Sequence, residues 1–460
     1  MEKLIIAAIA PLLGVLTACA AQPPLSGAWL GTLQVSSDAR LRLVFNLEQA
    51  SDGSTVFTLD SPDQGVKAIP GQVRYISSDS LNVGVAMIGL TYQGALGADG
   101  AIHGIFSQGA LTLPMELKRG SVEINRPQTP KPPFPYSTRE VTIENPDAPG
   151  VTLAATLTLP DGSNSSTPAV VMVSGSGLQN RDEEIMGHKP FAVIADYLAR
   201  NGVASLRYDD RGFAGSTGDA ASATTLDFAS DAHAALGWLR KNGETGLAGI
   251  LGHSEGGLIA TILAAGSDAK SRPDFIVGLG TPTMRGDTLL VAQSRKALES
   301  VGQPVMVIEN YAAALSALYE AMQTREPSQA AGLIDELTAE WPLNEPIYLQ
   351  LKDNLRQVCA TASTPWFLQF IRLNPIPFLK RISCPAMFIY GSRDTQVAPT
   401  SNIPNLSIFA PEAKLSVLPG LNHLLQPAPT GRIEEYSMIE QTISPSALEQ
   451  ILDFIKSKSH

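Results

Sequence analysis

The sequence predicts an α/β fold. A mostly parallel, doubly wound sheet is covered by helices on both faces, interrupted by a helical insertion, and preceded by a small antiparallel β unit. Three observations predict it. From residue 137 onward, short apolar strand patterns alternate with apolar residues at helical spacing, as a parallel sheet requires. Within that region the apolar run Leu247-Ala248-Gly249-Ile250-Leu251 stops at the small-residue corner Gly252-His253-Ser254-Glu255-Gly256-Gly257 and restarts as the helix-like Leu258 to Ala265. Residues 25–120 instead form short alternating runs broken by Ser-Asp-Gly and Ala-Asp-Gly turns, the pattern of antiparallel β.

Taken from the start, Met1-Glu2-Lys3 leads into the apolar run Leu4 to Val15, which at about a dozen residues is too short for a membrane span. Small residues follow, as in a secretory signal, so residues 1–19 are expected to be a signal peptide and the chain to be exported. Leu16-Thr17-Ala18-Cys19 resembles a bacterial lipobox. That resemblance implies lipidation at Cys19, with Ala20 suiting outer-membrane delivery. The alternative is ordinary cleavage near Ala18-x-Ala20, leaving a soluble periplasmic or secreted protein. Export leaves Cys359 and Cys384 as the other thiols; a bridge is permitted but not expected, because Cys384 at the mouth of a core strand is explained as a small apolar residue. No cysteine or histidine spacing suggests a metal site. The net charge of −11 argues against nucleic acid or anionic membrane surfaces as partners.

The chain of 460 residues, 44% apolar, suffices for one large domain and a small one. In residues 25–120, Leu41 to Leu47 and Ser80 to Val85 alternate as strands, and Gly27-Ala28-Trp29 and Gly104 to Gly109 suggest a small lipocalin-like sheet or barrel. His103 is expected as a turn or sheet residue and not a ligand. Residues 121–136, with Pro127, Pro130, Pro132, Pro133 and Pro135, cannot be helix and read as a stiff linker. In residues 137–460, Thr138 to Asn145 and Val151 to Leu159 look like an opening hairpin, and Ala169 to Val173 is the next strand. Phe191, Ile194, Ala195 and Leu198 mark a helix, Val203 to Tyr208 a strand, and Phe228 to Leu239 a second helix. The stretch from a strand at Asp274 to Gly278 to a strand at Pro385 is too long for a connection. Its helical spacing reads as a cap at residues 282–380, with Trp341, Leu351, Trp366, Phe367 and Phe370 as candidate pocket lining.

The corner at Ser254 carries the chemistry. Its glycines let strand and helix meet closely, so Ser254 can hold a strained backbone with Oγ exposed, and the Glu255 N–H then heads a helix and faces an oxyanion. A serine nucleophile needs a histidine base and a carboxylate downstream. The strand Ala386 to Tyr390 ends in Gly391-Ser392-Arg393-Asp394, and Leu415 to Leu418 leads to Gly420-Leu421-Asn422-His423. His423 is the candidate base and Asp394 its orienter, with Asp287 as rival acid. Arg181-Asp182-Glu183-Glu184 with His188 and Lys189 reads either as a substrate gate or as an ion-pair network. Asp209, Asp210 and Arg211 read as structural, and His233 and His253 as packing residues.

Gly252-His253-Ser254-Glu255-Gly256, Gly391-x-x-Asp394, Gly420-x-x-His423 and Asp209-Asp210-Arg211-Gly212-Phe213-Ala214-Gly215-Ser216 resemble the α/β-hydrolase superfamily, in its serine aminopeptidase and esterase branch. The resemblance covers residues 137–460 and extends weakly to the β unit, which exported Gram-negative hydrolases of this type often carry. One departure stands out: the usual oxyanion segment is His-Gly, whereas here Ala169 to Val173 runs into Ser174-Gly175-Ser176-Gly177. By position the Ser176 N–H is the second oxyanion donor, with Gly177 the other candidate. The resemblance implies a serine hydrolase of the carboxylesterase type (EC 3.1.1.-), acting on short-chain acyl esters without a cofactor. It equally allows a serine exopeptidase with the same triad and a carboxylate in the cap to hold the substrate's amino terminus. From another class, a surface-anchored binding lipoprotein on an inactive hydrolase fold remains the third reading; oligomeric state is left open.

Overall fold

The computed structural model describes residues 25–458 apart from 35–39, 51, 65, 110, 123–124, 244, 269–270, 326 and 363. The expected signal peptide and Cys19 lie outside the described residues. Two compact units divide the chain, Met1–Glu123 and Ile124–His460.

The first unit is a closed antiparallel barrel of eight strands in chain order. They are β1 (Gly27–Gln34), β2 (Arg40–Gln49), β3 (Thr55–Ser61), β4 (Val66–Ile76), β5 (Ser80–Val85), β6 (Leu90–Leu96), β7 (Ile102–Gln108) and β8 (Leu111–Arg119). Closure follows from β1 pairing with both β2 and β8, which removes every sheet edge. Alternate residues point inward and fill the interior with Trp29, Phe45, Phe57, Tyr92 and Phe106. The polar tips find local partners: Trp29 Nε1 donates to Leu25 O at 2.9 Å, and Tyr92 OH reaches Ile102 O and Met115 O at 3.1 and 3.0 Å. A Cβ at Gly104 would run into the Tyr92 ring, so the glycine makes room for it. His103 sits exposed on β7 beside Asp99, 2.9 Å away.

In the second unit, the Pro-rich stretch is tied down. Arg126 donates to the backbone oxygens of Met186, Ser437 and Ile439 at 2.7–2.9 Å, and Gln128 Oε1 accepts the N–H groups of Thr442 and Ile443. The chain then enters an eight-stranded sheet. The antiparallel hairpin β9 (Tyr136–Glu144) and β10 (Thr152–Pro160) leads to β11 (Ala169–Val173), and β12 (Ala204–Tyr208), β13 (Ala248–His253), β14 (Ile276–Leu279), β15 (Ala386–Gly391) and β16 (Lys414–Leu418) follow. Their order is β16-β15-β14-β13-β11-β12-β10-β9, parallel from β12 to β16. β14 starts later than the apolar run predicts; Asp274, in the bend before it, accepts the Ala248 N–H through its side chain.

Helices α1 (Pro190–Arg200), α2 (Thr225–Asn242) and α3 (Glu255–Ala264) connect these strands. A reciprocal capping box between Thr224 and Asp227 starts α2. Between β14 and β15 lies the helical insertion: α4 (Gly286–Ser300), α5 (Val305–Thr324), α6 (Pro327–Ala331), α7 (Ile334–Leu337), α8 (Pro346–Thr361), α9 (Pro365–Arg372) and α10 (Ile376–Leu379). Helix α11 (Pro399–Phe409) joins β15 to β16, and α12 (Pro445–Lys456) closes the chain. α2, α3 and α11 pack on one face of the sheet, α1 and α12 on the other. The strand order reverses at β11, with β12 on one side and β13 on the other. Such a reversal opens a crevice at the strands' C-terminal ends.

Candidate active site

Ser254 stands in that crevice between β13 and α3, with φ 51° and ψ −119°. Non-glycine residues hold such a backbone only where the surroundings enforce it. Here they do: a Cβ at Gly252 would fall on Gly256 O, and one at Gly256 on Val173 O. The Ser254 N–H is anchored to Leu279 O at 2.8 Å. As the first residue of α3, Glu255 presents an N–H that has no partner inside the helix.

Asp394 follows β15, buried, and its Oδ1 accepts the N–H groups of Gln396 and Val397 at 2.8 and 2.7 Å. Its Oδ2 lies 2.7 Å from His423 Nδ1. Gly280 is forced by this pair: at φ 55°, a Cβ would stand 2.8 Å from the His423 ring. Ser254 and His423 line one cavity of about 260 Å³, together with Gly175, Ser176 and Glu255. Asp287, the rival acid, sits instead with Arg285 Nε at 2.7 Å and Gln323 Nε2 at 2.9 Å.

The insertion contributes Leu289, Leu290, Gln293, Trp366 and Phe370 to the cavity. Trp341 and Leu351 belong to the insertion's own core, and Phe367 packs against that core, so these three are not lining residues. A fully helical insertion needs an interior, and the largest side chains on its inward faces supply it. Trp366 also bonds the insertion to the floor of the site: its Nε1 donates to Glu255 Oε1 at 2.9 Å, which accepts Thr225 Oγ1 at 2.7 Å. Burial raises the Glu255 pKa above the ordinary carboxylate value, against the hydrogen bonds from Thr225, Trp366 and Ser176.

The charged cluster after β11 is an ion-pair network. Arg181 joins Glu140 and Asp209, Asp182 joins Arg207 and Lys189, and Arg211 joins Asp231 at 2.6 Å. Asp210 accepts Ser174 Oγ at 3.0 Å and Gln179 N at 2.8 Å; burial pushes its pKa up to about 7. His253 is no packing residue. It makes a buried pair with Glu183 at 2.8 Å, because the β11 loop brings a carboxylate to a position 70 residues away in sequence.

Sequence reasoning missed the supports of the cavity's far wall, where Ile433 and Tyr436 lie. Arg126 holds Ser437 O and Ile439 O, and His188 Nε2 donates to Tyr436 O at 2.9 Å. Burial lowers the His188 pKa to about 4, so it stands neutral. Arg126 precedes the Pro-rich stretch with no motif to mark it, and His188 reads in the sequence only as part of the charged cluster. Cys359 and Cys384 are both free thiols.

With this geometry in view, the comparisons with known proteins define the class. The family model described as alpha/beta hydrolase fold matches residues 168–427, more than half of the chain. The chain therefore belongs to the α/β-hydrolase fold family. Among particular proteins it is similar to Esterase EstD of Thermotoga maritima, 25% identical over 295 residues, covering 64% of this chain and 61% of the relative. The chain thus spans about three fifths of that curated relative's length. Among solved structures, an esterase of Pyrococcus furiosus aligns at 17% identity and TM-score 0.42, over 74% of this chain and 100% of that one. A proline iminopeptidase of Mycobacterium smegmatis aligns at 16% identity and TM-score 0.43, over 70% and 99%.

Proposed function

We propose that this protein is a serine hydrolase of carboxylic esters, working through an acyl-enzyme on Ser254. One observation carries the reading: a serine held at φ 51° on a strand-to-helix corner shares a small cavity with His423, whose Nδ1 is bonded to buried Asp394. His423 takes the Ser254 proton and returns it to the leaving alcohol, while Asp394 fixes the ring and offsets the imidazolium charge. The Glu255 and Ser176 N–H groups meet the oxyanion. Two steps follow: Ser254 Oγ bonds the acyl carbon and the alkoxide leaves with a proton, and then water, deprotonated by His423, frees the acid. No cofactor enters either step. The similarity to an esterase supports the ester class, and a cavity of about 260 Å³ supports a short acyl group.

The exopeptidase reading is less favoured by the lining. A substrate ammonium needs an available carboxylate, yet no acidic residue of the insertion lines the cavity among the described residues. The two carboxylates that do line it, Glu183 and Glu255, already hold His253 and Gly175, and Thr225 and Trp366. The same proposal has residues 1–19 direct export to the bacterial outer membrane or periplasm, with Cys19 as a lipid anchor.

The test is hydrolysis of matched short-chain p-nitrophenyl esters and amino-acid p-nitroanilides by protein lacking residues 1–19, beside Ser254→Ala, with fluorophosphonate labelling. Ester turnover and labelling are expected, both lost in the variant. Anilide cleavage that needs a free amino group would establish the exopeptidase instead, and silence in every assay would leave a binding protein.

A further inference from the structure

Beside His423 lies a second buried acid–imidazole pair that the hydrolytic steps do not use. Glu183 and His253 are 1% and 6% exposed. Glu183 Oε1 lies 2.8 Å from His253 Nδ1 and also accepts the Gly175 N–H at 2.7 Å. On the other side, His253 Nε2 is 3.2 Å from the backbone oxygen of His423, and the two rings lie 4.6 Å apart. Glu183 keeps φ at 51°, a left-handed backbone that its surroundings must enforce.

Counting donors sets the charge. A backbone carbonyl only accepts, so the nitrogen facing His423 O carries a hydrogen. With Glu183 as a carboxylate, Oε1 accepts from both the Gly175 N–H and Nδ1, which then carries the second hydrogen. An imidazole donating from both nitrogens is an imidazolium, and Glu183 is its counter-charge. Burial lowers the His253 pKa, but the Glu183 charge and hydrogen bond, the His423 carbonyl and Asp394 outweigh it, and the net direction is upward. The small space beside the ring is otherwise walled by Phe191, Ile194, Leu279, Leu424, Leu425 and Ile443, so Glu183, Asp394 and His423 are the titratable groups it faces.

We propose that Glu183 and His253 are a positioning pair: a buried carboxylate–imidazolium that holds the Gly175–Ser176 loop and the His423 loop at a fixed separation around Ser254. The inference rests on the hydrolase reading. The pair joins three segments far apart in sequence, the loop after β11, the end of β13 and the loop after β16, and both its N–H groups are committed. It therefore aligns the reacting groups without exchanging protons with substrate. Misalignment weakens the transition state more than substrate binding, so its loss lowers kcat and leaves KM nearly unchanged.

The experiment compares wild type with Glu183→Gln, His253→Gln and the double variant, by ester kinetics and by NMR of ¹⁵N-labelled histidine. In wild type, His253 is expected to keep both ring nitrogens protonated to a higher pH than it does in Glu183→Gln. His253→Gln, which strands a buried carboxylate, should lose about 10–100-fold in kcat with KM within about twofold. The double variant, whose two amides can bond each other and Gly175, should recover much of that loss. A His253 that loses its second hydrogen at the same pH in wild type and Glu183→Gln, single variants with unchanged kcat, or a double variant no better than His253→Gln would overturn the proposal. Wild type without ester turnover sinks the hydrolase reading. The histidine spectrum then still judges the pair: Glu183→Gln must shift the His423 signals and leave those of exposed His103 and His233 in place.

Discussion

The two units solve the same burial problem in opposite ways. The barrel closes its sheet on itself and fills the inside with Trp29, Phe45, Phe57, Tyr92 and Phe106, so its interior is apolar and its few polar tips bond the nearest backbone. The hydrolase unit leaves its strands open at one end and buries Asp210, Glu183, His253, Asp394 and His423 there. Buried charge is tolerated only when paired and hydrogen-bonded. A filled interior adds stability, whereas an open strand end sacrifices some stability to hold polar groups in fixed geometry.

The comparison can be broken at either unit. Gly256→Ala should do most damage, because its Cβ would fall on the backbone oxygens of Val173 and Ser174, which cannot move without moving β11. The expected outcome is a hydrolase unit that loses its cooperative unfolding transition while the barrel's far-UV signature persists, checked by circular dichroism during thermal melts. Trp29→Ala removes the largest fully buried side chain of the barrel and should destabilise that unit by about 3–5 kcal/mol. Ester turnover measured below the new melting temperature should stay at the wild-type level; a large loss would show that the barrel shapes the site.

A pH experiment sharpens the contrast. Asp210 in the folded unit keeps its proton up to about 7, whereas the unfolded carboxyl releases it near 3.8. The stability gained from the protonated form is therefore complete below pH 3.8 and disappears as pH rises through 7. Asp210→Asn holds the neutral form throughout: its amide can donate to Ser174 Oγ and its oxygen accept from Gln179 N. Urea melts should find the variant more stable than wild type at pH 8, by on the order of 2 kcal/mol, with the difference shrinking toward pH 4. The smallest effect is expected for Trp366→Phe, which keeps an aromatic side chain but removes the indole N–H that bonds Glu255. A loss of about 1 kcal/mol, read as a fewfold rise in KM with kcat retained, would mark this bond as the insertion's latch on the site.

Periodicity and close approach were legible in the chain. Alternation in Ser80 to Val85 marks β5, whose ends the pattern predicts to the residue. The Gly252-x-Ser254-x-Gly256 corner could be read because its glycines answer a clash between neighbouring strand and helix, a constraint local enough to leave a short motif. The expectation that Asp394 and His423 lie at strand ends came the same way, from apolar runs that stop.

What the sequence by itself determined is thus whatever short-range sterics and hydrophobic period dictate: strands, helices, the serine corner and the long helical insertion. Only the tertiary structure decided which side chains meet across loops. Glu183 and His253 are 70 residues apart, Arg126 and Ile439 are 313 apart, and Trp341 and Trp366 differ in fate although both are aromatic in the same insertion. A hydrogen bond is decided within a few tenths of an ångström, and no spacing along the chain carries that information, because the path of the intervening backbone sets the distance.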